Sequence, residues 1–148
     1  MDFSEFQIEY FSKPSKETIY IREIVFVLEQ GFIDEFDELD NTSTHILISH
    51  NSNPIATARF YKISDENFVI GRFAVIKEYR NKGIGRFLMG KIEEKIIENG
   101  GKVMELSAQL QAKGFYESLG YRALGDIYYD QHAKHIHMEK NYKKDFIK

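Results

Sequence analysis

The sequence predicts a single α/β (α+β) domain, one mixed β-sheet of about seven strands flanked by helices. Three observations lead there. The chain has 148 residues with neither a Pro/Gly/Ser-rich linker nor an internal repeat, which suits one domain over 1–148. Its apolar periodicity switches between two and about 3.6 residues in the order β-α-β-β-β-α-β-α-β-β. A strand at 68–76, a helix at 85–99 and a strand at 103–107 form a crossover unit, which joins parallel strands and makes the sheet mixed.

Each element has its own signal. Phe6, Ile8 and Tyr10 alternate, as in a strand. Ser15, after Pro14, is a helix cap, and Ile21, Ile24, Val25 and Leu28 recur at i, i+3, i+4 and i+7 on one helical face. Gly31 lies near the end of that helix. The acidic run 34–40 reads as a solvated loop or short helix. Strands at 46–49 and 55–61 flank Asn51-Ser52-Asn53-Pro54, a turn sequence. Residues 64–67 form a second turn before the central strand at 68–76. Ile84, Phe87, Leu88, Ile92 and Ile96 mark a long amphipathic helix that Asn99-Gly100-Gly101 ends. After the strand at 103–107 come a short helix over 112–119 and a hairpin of strands at 121–129 and 135–140. In the last strand Ile136 and Met138 face one way, and His135, His137 and Glu139 the other.

Composition removes whole classes of chemistry. There is no Cys, so disulfides, thiolate metal sites and cysteine nucleophiles are excluded. The net charge of −3 lacks the basic excess of a nucleic-acid surface. No apolar run approaches the ~20 residues of a membrane helix, and MDFSEFQIEY is unlike a signal peptide. A cytoplasmic protein without nucleic-acid or membrane partners is the expectation. His132, His135 and His137 invite a metal reading, but a site needs a third ligand and supporting contacts, so no metal is expected.

The informative segment is Phe73-Ala74-Val75 followed by Arg80-Asn81-Lys82-Gly83-Ile84-Gly85-Arg86. A strand ends, a glycine-rich basic turn follows, and a long helix begins. Such a turn offers backbone N–H groups and the positive end of a helix dipole. Gly83 and Gly85 let a ligand approach the backbone, and Arg80, Lys82 and Arg86 add full charges. The arrangement suits a diphosphate. It lacks the GxxxxGK[ST] and GxGxxG patterns of other phosphate loops.

Arg80 to Gly85 fit Q/R-x-x-G-x-G/A, and here the sequence resembles the GNAT superfamily of N-acetyltransferases. The element order matches that family over essentially the whole chain. Phe115-Tyr116-Glu117-Ser118-Leu119-Gly120-Tyr121 resembles the family's FYxxLGF segment. The small bacterial ElaA/YjcF-like group is similar in Val25-Phe26-Val27-Leu28-Glu29-Gln30, Ile70-Gly71-Arg72, Ala108-Gln109 and His135-Ile136-His137-Met138.

The resemblance implies a sheet splayed between the strands at 68–76 and 103–107, with acetyl-CoA as acyl donor. Backbone groups of Phe73, Ala74 and Val75 would pair with the pantetheine arm. Arg80, Asn81, Lys82, Gly83, Ile84, Gly85 and Arg86 would hold the diphosphate, and Gln111 and Phe115 would complete the cofactor site. A backbone N–H near Phe73 would stabilise the oxyanion. Tyr116 would be the acid that serves the departing thiolate, with Phe115 the aromatic that packs its helix on the sheet. Many relatives carry a Glu on the central strand where this chain has Gly71-Arg72. The base is therefore open among Glu29, His135, His137 and a water relay. Glu29, Arg72, Gln109 and His135 are the candidates on the acceptor side. Arg72 would bind a substrate carboxylate or, alternatively, pair with a nearby acid. The implied reaction is direct acetyl transfer to a primary amine on a small, polar, amino-acid-like molecule. A protein or peptide N-acetyltransferase and a non-catalytic acyl-CoA-binding module are the alternatives. Dimers are common on this fold, so a homodimer stays open.

Overall fold

The computed structural model describes residues 1–33 and 35–142. Asp34, the first residue of the acidic run, lies outside the described residues. The chain forms two compact units: Met1–Tyr61 with Arg72–Ile92, and Lys62–Gly71 with the chain from Glu93 onward.

The first unit opens with β1 (Phe6–Phe11), α1 (Lys16–Arg22), β2 (Thr44–His50) and β3 (Asn53–Lys62, to Tyr61 within the unit). Ser15 caps α1 as expected. Its hydroxyl accepts from the Thr18 N–H at 3.1 Å, and the Ser15 N–H donates to Thr18 Oγ1 at 2.9 Å, a reciprocal capping box. β1 and β2 pair antiparallel, as do β2 and β3. The β2–β3 turn takes φ +51° at Asn51 and +65° at Ser52 between the paired His50 and Asn53. Two successive positive φ values define a type I′ hairpin turn, whose twist suits the strands beside it.

The helix read through Leu28 does not continue as an α-helix. Glu23–Glu29 is π-helical, with Gln30 N–H donating to the Val25 carbonyl at 3.1 Å. The wider turn moves the buried stripe, so Ile21, Val25 and Phe26 lie in the core while Leu28 is 77 % exposed. A 3.6-residue period cannot be carried through a segment with an extra residue per turn.

β4 (Asn67–Val75) belongs to both units, its residues to Gly71 in the second and from Arg72 in the first. Within the second unit, β4 pairs parallel with β5 (Val103–Gln109), from Asn67–Val103 to Ile70–Leu106. That ladder ends there although both strands run on. β7 (Ala133–Asn141) pairs antiparallel with β5 and with the edge strand β6 (Arg122–Asp130). The hydrogen-bonded order is β1-β2-β3-β4-β5-β7-β6, a mixed seven-stranded sheet. The other helices are α2 (Ile84–Glu98) and α3 (Lys113–Ser118). Ile84, Leu88, Ile92 and Ile96 of α2 are buried, as their spacing predicts.

Candidate active site

In the first unit β4 delivers the chain into the glycine-rich loop. Ile76 N–H donates to the Ile55 carbonyl at 2.9 Å, and a 3₁₀ turn follows over Lys77–Tyr79. Arg80 is extended, Asn81 has φ +63° and Gly83 φ +83°. A Cβ on Gly83 would lie 3.4 Å from the Phe3 ring, and Phe3 also packs on Phe87 with centroids 4.9 Å apart. The N-terminal segment thus backs the loop. α2 begins at Ile84, and Phe87 N–H donates to the Gly83 carbonyl at 3.1 Å, so the positive end of a 15-residue helix meets the loop. Lys82 and Arg86 are exposed. These features fit a diphosphate: turn backbone, dipole and exposed cations in one place.

Arg80 is already paired. Its Nη1 and Nη2 meet both carboxylate oxygens of Glu29 at 2.5 and 2.7 Å, and its Nε donates to the Val75 carbonyl at 2.9 Å. The Arg80 hydrogen bond holds the Glu29 carboxyl below its usual range. The structure thus joins two residues that the sequence names separately.

Arg72 sits in β4 with φ +51°, a left-handed residue that breaks the strand's alternation. Its Nε lies 2.8 Å from Glu35 Oε2 and its Nη2 3.3 Å from Asp37 Oδ2. The ion-pair alternative for Arg72 is therefore present. Behind it is a cluster that the sequence reading missed. Arg22 is 1 % exposed; its Nε donates to Glu35 Oε2 at 2.9 Å and its Nη1 to Asp40 Oδ1 at 2.7 Å. Arg59 Nη1 reaches Asp37 at 2.6 Å and Asp40 at 2.8 Å, while its buried Nε has no hydrogen-bond partner. Burial works against ionising Asp40, but hydrogen bonds from Arg22 and Arg59 bring it down to about 2. Burial pushes Glu35 up against the pull of Arg72 and Arg22. Burial lowers the pKa of His45, whose Nε2 donates to the Asp40 carbonyl at 2.9 Å.

The acidic run is therefore solvated only in part: residues 36–39 are exposed, whereas Glu35 and Asp40 are buried because three guanidinium groups converge on them. One signal was available in the sequence. Arg22 adjoins the apolar helix stripe, and His45 and Arg59 interrupt otherwise apolar strands.

The second unit holds the remaining candidates. Tyr116 on α3 is 8 % exposed and Phe115 is 36 % exposed. This reverses the expectation that Phe115 packs the helix. Tyr116 is the inward ring, edge-on to Tyr121 at 6.1 Å, and burial pushes its phenol above the usual range. Gln111 donates to Gln109 at 2.6 Å. His135 does not share the setting of His137. It is buried because Tyr128, opposite it on β6, stacks on its ring, and its Nδ1 lies 3.1 Å from the Ala133 carbonyl. His137 instead approaches Glu105 at 3.4 Å, with Glu139 nearby. No helix among the described residues is long and apolar enough to cross a membrane.

Comparison with known proteins agrees with this geometry. The family model for an acetyltransferase (GNAT) domain matches residues 22–142. The N-acetyltransferase YjcF of Bacillus subtilis is 34 % identical over 129 residues, covering 85 % of this chain and 91 % of that protein. The crystal structure of Escherichia coli ElaA superposes with TM-score 0.80 at 31 % identity, over 93 % of this chain and 99 % of the other. A GNAT family acetyltransferase from Elizabethkingia anophelis, solved with acetyl-CoA bound, shares the fold with TM-score 0.70 at 16 % identity, over 93 % of this chain and 98 % of that one.

Proposed function

Since the chain belongs to the GNAT acetyltransferase family, we propose that it moves the acetyl group of acetyl-CoA onto the primary amine of a small, polar, amino-acid-like molecule, by direct attack in a ternary complex. The observation that carries this reading is the loop over 80–86, where positive-φ turn residues, the start of α2 and exposed Lys82 and Arg86 meet at the end of β4. In this reading the loop holds the diphosphate, and the Phe73–Val75 stretch, with Ala74, pairs with the pantetheine amides. Gln111 and Phe115 border the cofactor arm.

The acceptor must be a free amine, because an alkylammonium with a pKa of about 10 has no lone pair to attack with. Glu29 is a poor base for that proton: the Arg80 hydrogen bond stabilises its ionised form and weakens its basicity. His135, His137 and a water relay are the remaining routes for it. Attack on the thioester carbonyl builds an oxyanion that a backbone N–H near Phe73 stabilises. The C–S bond then breaks, and Tyr116 donates a hydrogen bond to the thiolate. Holding amine and thioester together supplies much of the acceleration.

Arg72 supports an amino-acid-like acceptor. Its side chain is 25 % exposed, and among the described residues its partners engage Nε and Nη2, leaving Nη1 for a substrate carboxylate. Replacing Arg72 with Ala should raise KM for carboxylate-bearing amines roughly tenfold, the scale of one charged hydrogen bond, and leave KM for neutral amines nearly unchanged. Equal changes for both classes would remove Arg72 from substrate recognition.

The direct test is release of free CoA thiol from acetyl-CoA in the presence of amino acids, polyamines, aminoglycosides and peptides. Turnover with small amines supports the proposal. Turnover with peptides alone would redirect it to a protein acceptor, and a chain with no affinity for any CoA thioester would end it.

A further inference from the structure

We infer that Glu29 is a positioning residue for the acyl-CoA loop and neither a base nor an acceptor contact. The inference rests on the reading of residues 80–86 as the diphosphate site. Glu29 closes the π-helical segment Glu23–Glu29. Its two oxygens take both terminal nitrogens of Arg80 at 2.5 and 2.7 Å, a two-point contact that fixes direction as well as distance. Arg80 Nε then donates to the Val75 carbonyl at 2.9 Å. One guanidinium thus ties the π-helical segment, the last residue of β4 and the first residue of the loop.

This arrangement has two effects. Arg80 is held at φ −74°, ψ 157°, which sets the path into the left-handed Asn81 and Gly83. An entry so fixed leaves less disorder to remove when a ligand binds. The charge of Arg80 is also matched by Glu29, so Arg80 contributes to the shape of the loop more than to its net charge. The Glu29–Arg80 pair is thus a pin beneath the loop, and its loss is felt as weaker cofactor binding.

Calorimetry with acetyl-CoA on Glu29→Gln should show Kd raised roughly three- to tenfold, the range for a partly exposed two-point ion pair. KM for acetyl-CoA should rise in parallel, while kcat at saturation changes less than about twofold and keeps its pH profile. The charge-swapped double variant Glu29→Arg with Arg80→Glu should recover part of the affinity. An unchanged Kd, with or without a lower Tm, would overturn the inference. So would a large fall in kcat with loss of a pH limb, which would make Glu29 the base. A wild-type chain that binds no CoA thioester would overturn the reading of the loop itself, and the pin with it.

Discussion

Replacing Tyr116 with Phe should lower kcat roughly 10²–10³-fold, the cost of removing one well-placed hydrogen-bond donor from a developing anion, while KM for acetyl-CoA stays within about twofold. Phe keeps the ring that packs edge-on to Tyr121, so the fold should survive. The location of Tyr116 refines its proposed role. A thiol near pKa 8.5 and a phenol near 10 already make full proton transfer to the thiolate unfavourable, and burial widens the gap by raising the phenol further. Tyr116 therefore works as a neutral donor that stabilises the thiolate, and the proton that finally neutralises it comes from solvent. The kcat–pH profile should show no limb from Tyr116 anywhere in the neutral range. A Phe variant with wild-type kcat would eliminate the role.

The second large effect is on stability. Truncating Arg22 to Ala should cost about 3–5 kcal/mol, because it leaves buried acids short of their cation. That corresponds to a fall in Tm on the order of 10 °C for a chain of this size. Arg59 still reaches Asp40 and Arg72 still reaches Glu35, which favours the lower end of the range. The cluster also fixes how stability depends on pH. The Asp40 carboxyl is held at about 2, against 3.8 unperturbed. Its folded pKa is the lower one, so its contribution is fully present above pH 4 and is lost as pH falls through 3.8 towards 2. The size is about 2 kcal/mol. Glu35 runs the other way. Its folded pKa is raised above 4.5, so its contribution is largest below 4.5 and is lost as pH rises through the folded value. Urea melts from pH 2 to 7 should show the acid loss in the wild type. In Arg22→Ala the loss should be smaller and should end at a higher pH, since Asp40 then keeps only one guanidinium and its folded pKa moves back towards 3.8. An acid limb of the same size and the same end point in both proteins would show that Arg22 does not set the Asp40 pKa.

Much of this was legible in the sequence, and the boundary is physical. The β4–loop–α2 passage was readable because its determinants are local: glycine where the backbone turns, a period of 3.6 behind it, and base between. The I′ turn at 51–52 and the Ser15 cap were readable for the same reason. The ion cluster was not, since Arg22, Glu35, Asp37, Asp40 and Arg59 are joined by contacts that cross 13 to 22 positions, and no short window along the chain holds them together. Phe115 was expected to be the packing ring, and Tyr116 takes that place, because neighbours on a six-residue helix differ by about 100° and the contact with Tyr121 is what shows which ring is inward. His135 was placed with His137 by alternation, which is blind to the Tyr128 ring that covers it.

The wide turn at Glu23–Glu29 makes the length of this stretch as important as its composition. Deleting one residue there would let an ordinary helix form, with about 100° per residue in place of the smaller angle of the wide turn, so the side chains within the stretch would face new directions. The carboxylate that grips Arg80 would then have to be presented from a differently wound turn. Grafts of this stretch between homologues therefore have to conserve the count of residues before they conserve identities.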